Sequence, residues 1–169
     1  MRISSGIYRN RKIATPGGTT HPMGERERLA LFNMIAEYLP GARVLDAFAG
    51  SGALGVEALS REAVEVVFVE KNRHACQVIR ENLRDLGVDA EIYQGDVSKY
   101  TTDKMFEIIL ADPPYDNFDI AEVAHLLQFL KIGGIFVLSH PEKAPELSNT
   151  TLLKTRKYAG AQISVYIKR

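Results

Sequence analysis

Apolar positions recur in this chain first at helical spacing and then in short strand-like runs that alternate with helices. From Glu25 to Tyr38, residues Leu29, Leu31, Phe32 and Ile35 recur at mostly helical spacing, and Pro40-Gly41 stops that helix. Ahead of it, RISSGIYRNRKIAT alternates around Tyr8-Arg9-Asn10-Arg11 and predicts a short β-hairpin, followed by the loop PGGTTHPMG. Ala42 to Phe48 is an apolar run closed by glycines and predicts a first strand, and SGALGVEALS behind it has helical spacing. Val64 to Glu70 predicts a second strand, KNRHACQVIRENLRDLG an amphipathic helix capped at Gly87, and VDAEIYQGD a third strand. MFEIILADPPY predicts a fourth strand, IAEVAHLLQFLKIGG a helix ending at Gly133-Gly134, and IFVLSH a fifth strand. The tail TLLKTRKYAGAQISVYIKR reads as two strands joined at Ala159-Gly160.

Strands rich in Val, Ile and Leu alternating with helices imply a mostly parallel sheet covered on both faces, a doubly wound, Rossmann-like α/β domain. We divide the chain into an N-terminal hairpin and loop, residues 1–23, and the α/β domain, residues 24–169. In such sheets ligands bind outside the carboxyl ends of the strands. Asp46, Glu70, Asp96 and Asp112 end the first four strands, so all four are expected to face one crevice. Any one of them alone would serve equally well as an N-cap for the helix that follows.

Composition narrows the class. With 169 residues, 46% hydrophobic and 25% charged, the chain suits one globular domain with a core. Cys76 is the single cysteine, so neither a disulfide framework nor a thiolate metal cluster is expected. His21, His74, His125 and His140 show no ligand spacing, and no metal is assigned. No signal-peptide core or membrane-length apolar run is present, which leads to the expectation of a soluble, cytoplasmic monomer. Formal net charge is zero, yet residues 1–24 and 154–169 contain no carboxylate, and all 21 acids lie between them. Basic ends form a positive patch if they lie together.

Two motifs carry chemistry. Phe48-Ala49-Gly50-Ser51-Gly52-Ala53-Leu54-Gly55 satisfies G-x-G-x-x-G between a predicted strand and a predicted helix, where glycine permits a tight turn and close approach of a ligand to backbone. It fits a nicotinamide cofactor or S-adenosylmethionine alike. Glu70, followed by Lys71, is placed to accept from ribose hydroxyls, which both ligands possess. Asp46, just ahead of the turn, would repel a pyrophosphate and suits an ammonium or sulfonium charge.

The second motif, Asp112-Pro113-Pro114-Tyr115, ends the fourth strand. An amino group conjugated to a purine is a poor nucleophile because its lone pair is delocalised. The Asp112 carboxylate and a carbonyl of Pro113 or Pro114 would accept its two N–H groups and draw the lone pair toward a methyl donor. The prolines fix the backbone and bring no competing N–H. The acceptors are thus aimed in advance, as positioned groups rather than strong bases. Tyr115 offers a flat face for stacking the target base. Asp96 and the Val97 N–H resemble a pair that reads an adenine ring, with simple capping as the competing role.

VLDAFAGSGALGVEALSR, VVFVE, LADPPY and the N-terminal pattern T-x-P-x-x-E-R-x-R-x-x-L-F-N together resemble the RsmD family, bacterial methyltransferases acting on a guanine N2 of 16S ribosomal RNA. The resemblance implies a class I methyltransferase sheet of seven strands with the last antiparallel, S-adenosylmethionine as cofactor, and a small ribosomal subunit or assembly intermediate as partner. It also implies roles: Asp46 and the loop Phe48, Ala49, Gly50, Ser51 and Gly52 toward methionine, Glu70 and Lys71 toward ribose, and Asp96 and Val97 toward adenine. Asp112 to Tyr115 would meet the target base, and Arg2, Arg9, Arg11, Lys12, His21 and Arg26 the RNA. The chain departs from the family at His21, where arginine is usual, so a permanent charge is missing there.

Three functions remain open at this point. Guanine-N2 methylation of ribosomal RNA is favoured because the residues after Tyr115 are used by the elements that finish the sheet, leaving no insert for a DNA-recognition domain. Amino methylation of adenine or of a protein amide shares the tetrapeptide. A non-catalytic RNA-binding module or a nicotinamide enzyme shares only the fold.

Overall fold

The computed structural model describes residues 1–18 and 22–169. Helix α1 (Glu25–Met34) and a 3₁₀ turn (Ala36–Tyr38) lead into β1 (Arg43–Ala47), α2 (Ala53–Ser60), β2 (Glu65–Glu70), α3 (Arg73–Leu86) and β3 (Glu91–Gln94). Then come β4 (Phe106–Ala111), α4 (Ile120–Leu126), β5 (Leu130–His140), β6 (Thr150–Tyr158) and β7 (Ala161–Lys168). The sheet has seven strands in the order β3-β2-β1-β4-β5-β7-β6. β1 to β5 pair in parallel, while β7 runs antiparallel to both β5 and β6. This is a Rossmann-like α/β sheet with β1 and β4 at its centre, where strand order reverses.

Alternation along each strand builds two cores. Val44, Val66, Phe68, Ile108, Leu110, Ile163 and Val165 face α1, α2 and α3, meeting Leu31, Phe32, Val56, Ile79 and Leu83. Leu45, Val67, Val69, Ile109, Ala111, Phe136 and Leu138 face the other way, onto α4 and the Tyr100 and Phe129 rings. Each fully buried Leu, Ile or Phe contributes about 1.5–3 kcal/mol, so both layers are substantial. The ends of α3 follow from sequence: Asn72 accepts from the Ala75 N–H at 2.9 Å, and Gly87 closes the helix at φ 69°.

Two expected elements are built differently. The N-terminal hairpin is one antiparallel bridge, Arg2 to Lys12, enclosing a run of turns, because Ser4, Ser5, Ile7 and Tyr8 bond to α2 rather than across a ladder. Ile3 and Ile13 lie in the core beside α1. Gly133-Gly134, expected to end a helix, sit inside β5. Residues 131–134 bulge opposite Glu107, Gly133 takes φ 78°, and a Cβ on Gly134 would lie 2.8 Å from the Lys131 carbonyl.

Buried polar groups fasten the N-terminal segment. The Glu57 carboxylate, fully buried on α2, accepts from the Ser4 and Ser5 N–H groups at 3.0 and 3.1 Å, and pairs with Arg28 at 3.3 Å and Arg61 at 3.2 Å. Asn82 on α3 accepts from the Ala14 N–H at 2.8 Å and donates to the Ala14 carbonyl at 3.0 Å and to the Ser51 carbonyl at 3.1 Å. Among the described residues, no helix is long and apolar enough to cross a membrane.

Candidate active site

β1, β2 and β4 deliver Asp46, Glu70 and Asp112 to one end of the sheet. The residues before them, Leu45, Val69 and Ala111, pack toward α4, so alternation turns all three carboxylates to the opposite side. Asp46 is 1% exposed, and its Oδ2 accepts from the Gly55 N–H at 2.9 Å. Burial raises its pKa well above the ordinary carboxylate value; the charges of Asp112 and Glu70 add to this, and the Gly55 bond opposes it. Asp46 therefore senses both of the other carboxylates at this end of the sheet.

The glycine loop is held by Glu70, whose two oxygens accept from the Gly50 N–H and the Asn72 N–H, each at 2.8 Å. Phe48, at φ 60°, adopts a left-handed conformation that costs a non-glycine residue about 1–3 kcal/mol and is characteristic of ligand-binding turns. Gly52 continues the turn at φ 80°, and a Cβ on Gly55 would lie 2.3 Å from the Phe68 ring. The last glycine is thus required for α2 to pack on β2. Ala49 and Ser51 are buried in this loop, with Ser51 fixed through its carbonyl to Asn82.

At the end of β4, burial raises the Asp112 pKa to about 6, and the polar Ser139 hydroxyl nearby holds it from rising further. The Tyr115 hydroxyl bonds the Ser139 hydroxyl, so one β5 side chain holds Tyr115 and lies next to Asp112. Pro113 is buried and Pro114 exposed. Nothing in the local spacing marks Ser139; it enters the site only because β5 lies beside β4.

Other candidate residues are placed less closely. The Asp96 carboxylate accepts from the Ser98 N–H at 2.9 Å and the Ser98 hydroxyl at 2.7 Å, which lowers its pKa: it caps its own 3₁₀ turn. Val97 beside it is buried, and Lys71 is exposed. Arg2 donates to the Asn10 carbonyl at 2.7 Å, and Arg11 to the Asp85 carbonyl at 2.8 Å, in the last turn of α3. The Ile7 N–H bonds the carbonyl of Ser60, the last residue of α2. Since α2 and α3 both run away from the crevice, the turn that carries Arg9 and Arg11 lies toward the far end of the sheet. A helix of 14 residues such as α3 spans about 21 Å. Arg26 is exposed in the first turn of α1; His21 lies outside the described residues. Among the described residues, no group of three His, Cys, Asp or Glu is placed to hold a metal.

The chemistry of the donor set fits S-adenosylmethionine. Three adjacent carboxylates favour a cation and oppose a pyrophosphate, and the open glycine turn allows close approach of a nucleoside.

The family model described as conserved hypothetical protein 95 matches residues 1–167. The chain is 34% identical to the Bacillus subtilis protein named "Putative rRNA methyltransferase YlbH", with 100% of each chain covered. It is 31% identical to ribosomal RNA small subunit methyltransferase D of Haemophilus influenzae, covering 92% of this chain and 88% of that protein. The solved structure of a hypothetical protein from Thermus thermophilus superimposes with a TM-score of 0.83 at 30% identity, covering 100% of this chain and 99% of that one. A fully matched family model, a full-length relative and a shared sheet agree with the crevice geometry, and the chain belongs to the conserved hypothetical protein 95 family, the RsmD family of small-subunit methyltransferases.

Proposed function

We propose that this protein transfers the methyl group of S-adenosylmethionine to the exocyclic N2 of a guanine in the 16S RNA of the small ribosomal subunit. The observation that carries this is the placement of Asp112 and of Tyr115, the latter held by Ser139, beside the carboxylate-lined glycine turn. The names of the relatives supply the RNA class, and the tetrapeptide supplies the amino group.

When bound, the cofactor supplies an electrophilic methyl group on a cationic sulfur. Asp46 and the glycine turn would face its methionine part, and Glu70 its ribose. Asp112, with a pKa of about 6, is ionised at neutral pH and accepts an N–H of the target amino group. A carbonyl of Pro113 or Pro114 accepts the other, and the lone pair is released toward the methyl group. As the nitrogen becomes cationic, Asp112 receives its proton; a carboxylate of pKa about 6 holds that proton better than an ordinary one. Tyr115, tethered by its hydroxyl, presents its ring to a base turned out of its stack.

The test is methyl transfer from labelled S-adenosylmethionine to hypomethylated small subunits, free 16S RNA and DNA, with the product nucleoside identified by mass spectrometry. We expect N2-methylguanine from the subunit or its RNA. N6-methyladenine would overturn the assignment.

A further inference from the structure

We propose that the tip of the C-terminal hairpin, Arg156 and Lys157 of β6, is the cationic rim that grips RNA phosphates beside the target nucleotide. The inference rests on the RNA reading above and moves the contact away from the N-terminal arginines.

Register places these residues. Ser139 pairs with Ile163, which pairs with Arg156; His140 pairs with Gln162, which pairs with Lys157. Arg156 therefore stands in the same row as the serine that holds Tyr115, two strand spacings away, or about 10 Å. Partners in a row share a face. Ile163 packs toward α1–α3, so Arg156 projects to the side on which Asp46, Glu70 and Asp112 lie. Lys157 projects from the other face of the same edge strand. Because β7 runs antiparallel to β5, the last residues of β6 and the turn at Ala159-Gly160 lie at the crevice end.

Charge gives the rim its partner. Arg156 and Lys157 are exposed, and neither belongs to an ion pair among the described residues. Residues 150–169 contain no carboxylate to neutralise them. The crevice itself carries three carboxylates and repels phosphate, so a strand whose base enters it must be held at the margin. Arg9 and Arg11, at the far end of α3, do not reach this margin. Basic residues on an edge strand also deter strand-to-strand aggregation, but that role would leave RNA affinity unchanged.

The experiment compares wild type, R156Q/K157Q, R9Q/R11Q and R156K/K157R. Binding to free 16S RNA is measured as a function of salt, together with KM for RNA, kcat and affinity for S-adenosylmethionine. R156Q/K157Q should reduce the slope of log affinity against log salt by about 1–2. It should also raise the RNA KM about tenfold, with kcat at saturating RNA and cofactor affinity retained. R156K/K157R should behave as wild type, and R9Q/R11Q should leave the slope unchanged. An unchanged slope in R156Q/K157Q, or equal loss of cofactor affinity, would overturn the proposal while leaving RNA methylation intact. A wild-type protein that neither binds nor methylates RNA would instead overturn the functional reading on which it rests.

Discussion

Burial makes Asp112 useful to the reaction and costly to the fold. Its pKa, raised from 3.8 to about 6, means that the folded state holds this proton more tightly than the unfolded chain. Stability from this group therefore falls as pH rises from about 4 to about 6, and the loss persists at neutral pH. At ~1.36 kcal/mol per unit the loss is at most about 3 kcal/mol. Asp112→Asn should abolish methyl transfer, keep cofactor affinity within about tenfold and raise Tm at pH 7.5 by a few degrees. A lower Tm would show that the carboxylate stabilises the fold instead. Because the ionised form is the acceptor, kcat should fall as pH drops through about 6. Ser139→Ala removes the hydroxyl that restrains this shift, so the acid limb should move to higher pH. A limb that stays in place would separate Ser139 from Asp112.

At the scale of elements, the Glu57 network decides whether the N-terminal segment stays docked. Glu57→Ala leaves the buried Arg28 and the partly exposed Arg61 without their carboxylate and frees the Ser4 and Ser5 N–H groups. Breaking a buried pair by removing one partner costs about 3–5 kcal/mol. Hydrogen exchange at Ile3, Ile7 and Ile13 should accelerate well before exchange in β1; equal acceleration would mean that the segment and the sheet unfold together. The alternation of strands and helices was legible because parallel strands buried on both faces read as continuous apolar runs. Glu57 was not, because its partners, Ser4 and Ser5, lie 52–53 residues away. Gly133-Gly134 misled for a local reason: a glycine pair stops a helix and forms a bulge equally well, and only pairing with β4 selects the bulge. Asp112 and Tyr115 were legible as a contiguous motif, whereas Ser139 became visible only through strand order.

For the whole molecule, both cores share one sheet, and residues from the N-terminal segment to β7 contribute to the same layer. Thermal unfolding should therefore be one transition, with far-ultraviolet dichroism and tyrosine fluorescence coinciding. Two separated transitions would mark the N-terminal segment as an independent unit. The anchors of that segment have a consequence for how the chain is made. Arg11 finds its partner at Asp85, 74 residues later, and Ala14 finds Asn82, 68 residues later. The segment thus finds Glu57 and Ser60 once α2 has been made, but its docking is complete only after α3 has followed. During synthesis, Ile3 and Ile13 therefore reach their final packing only after β1 and β2 have been made, although they precede both in the sequence.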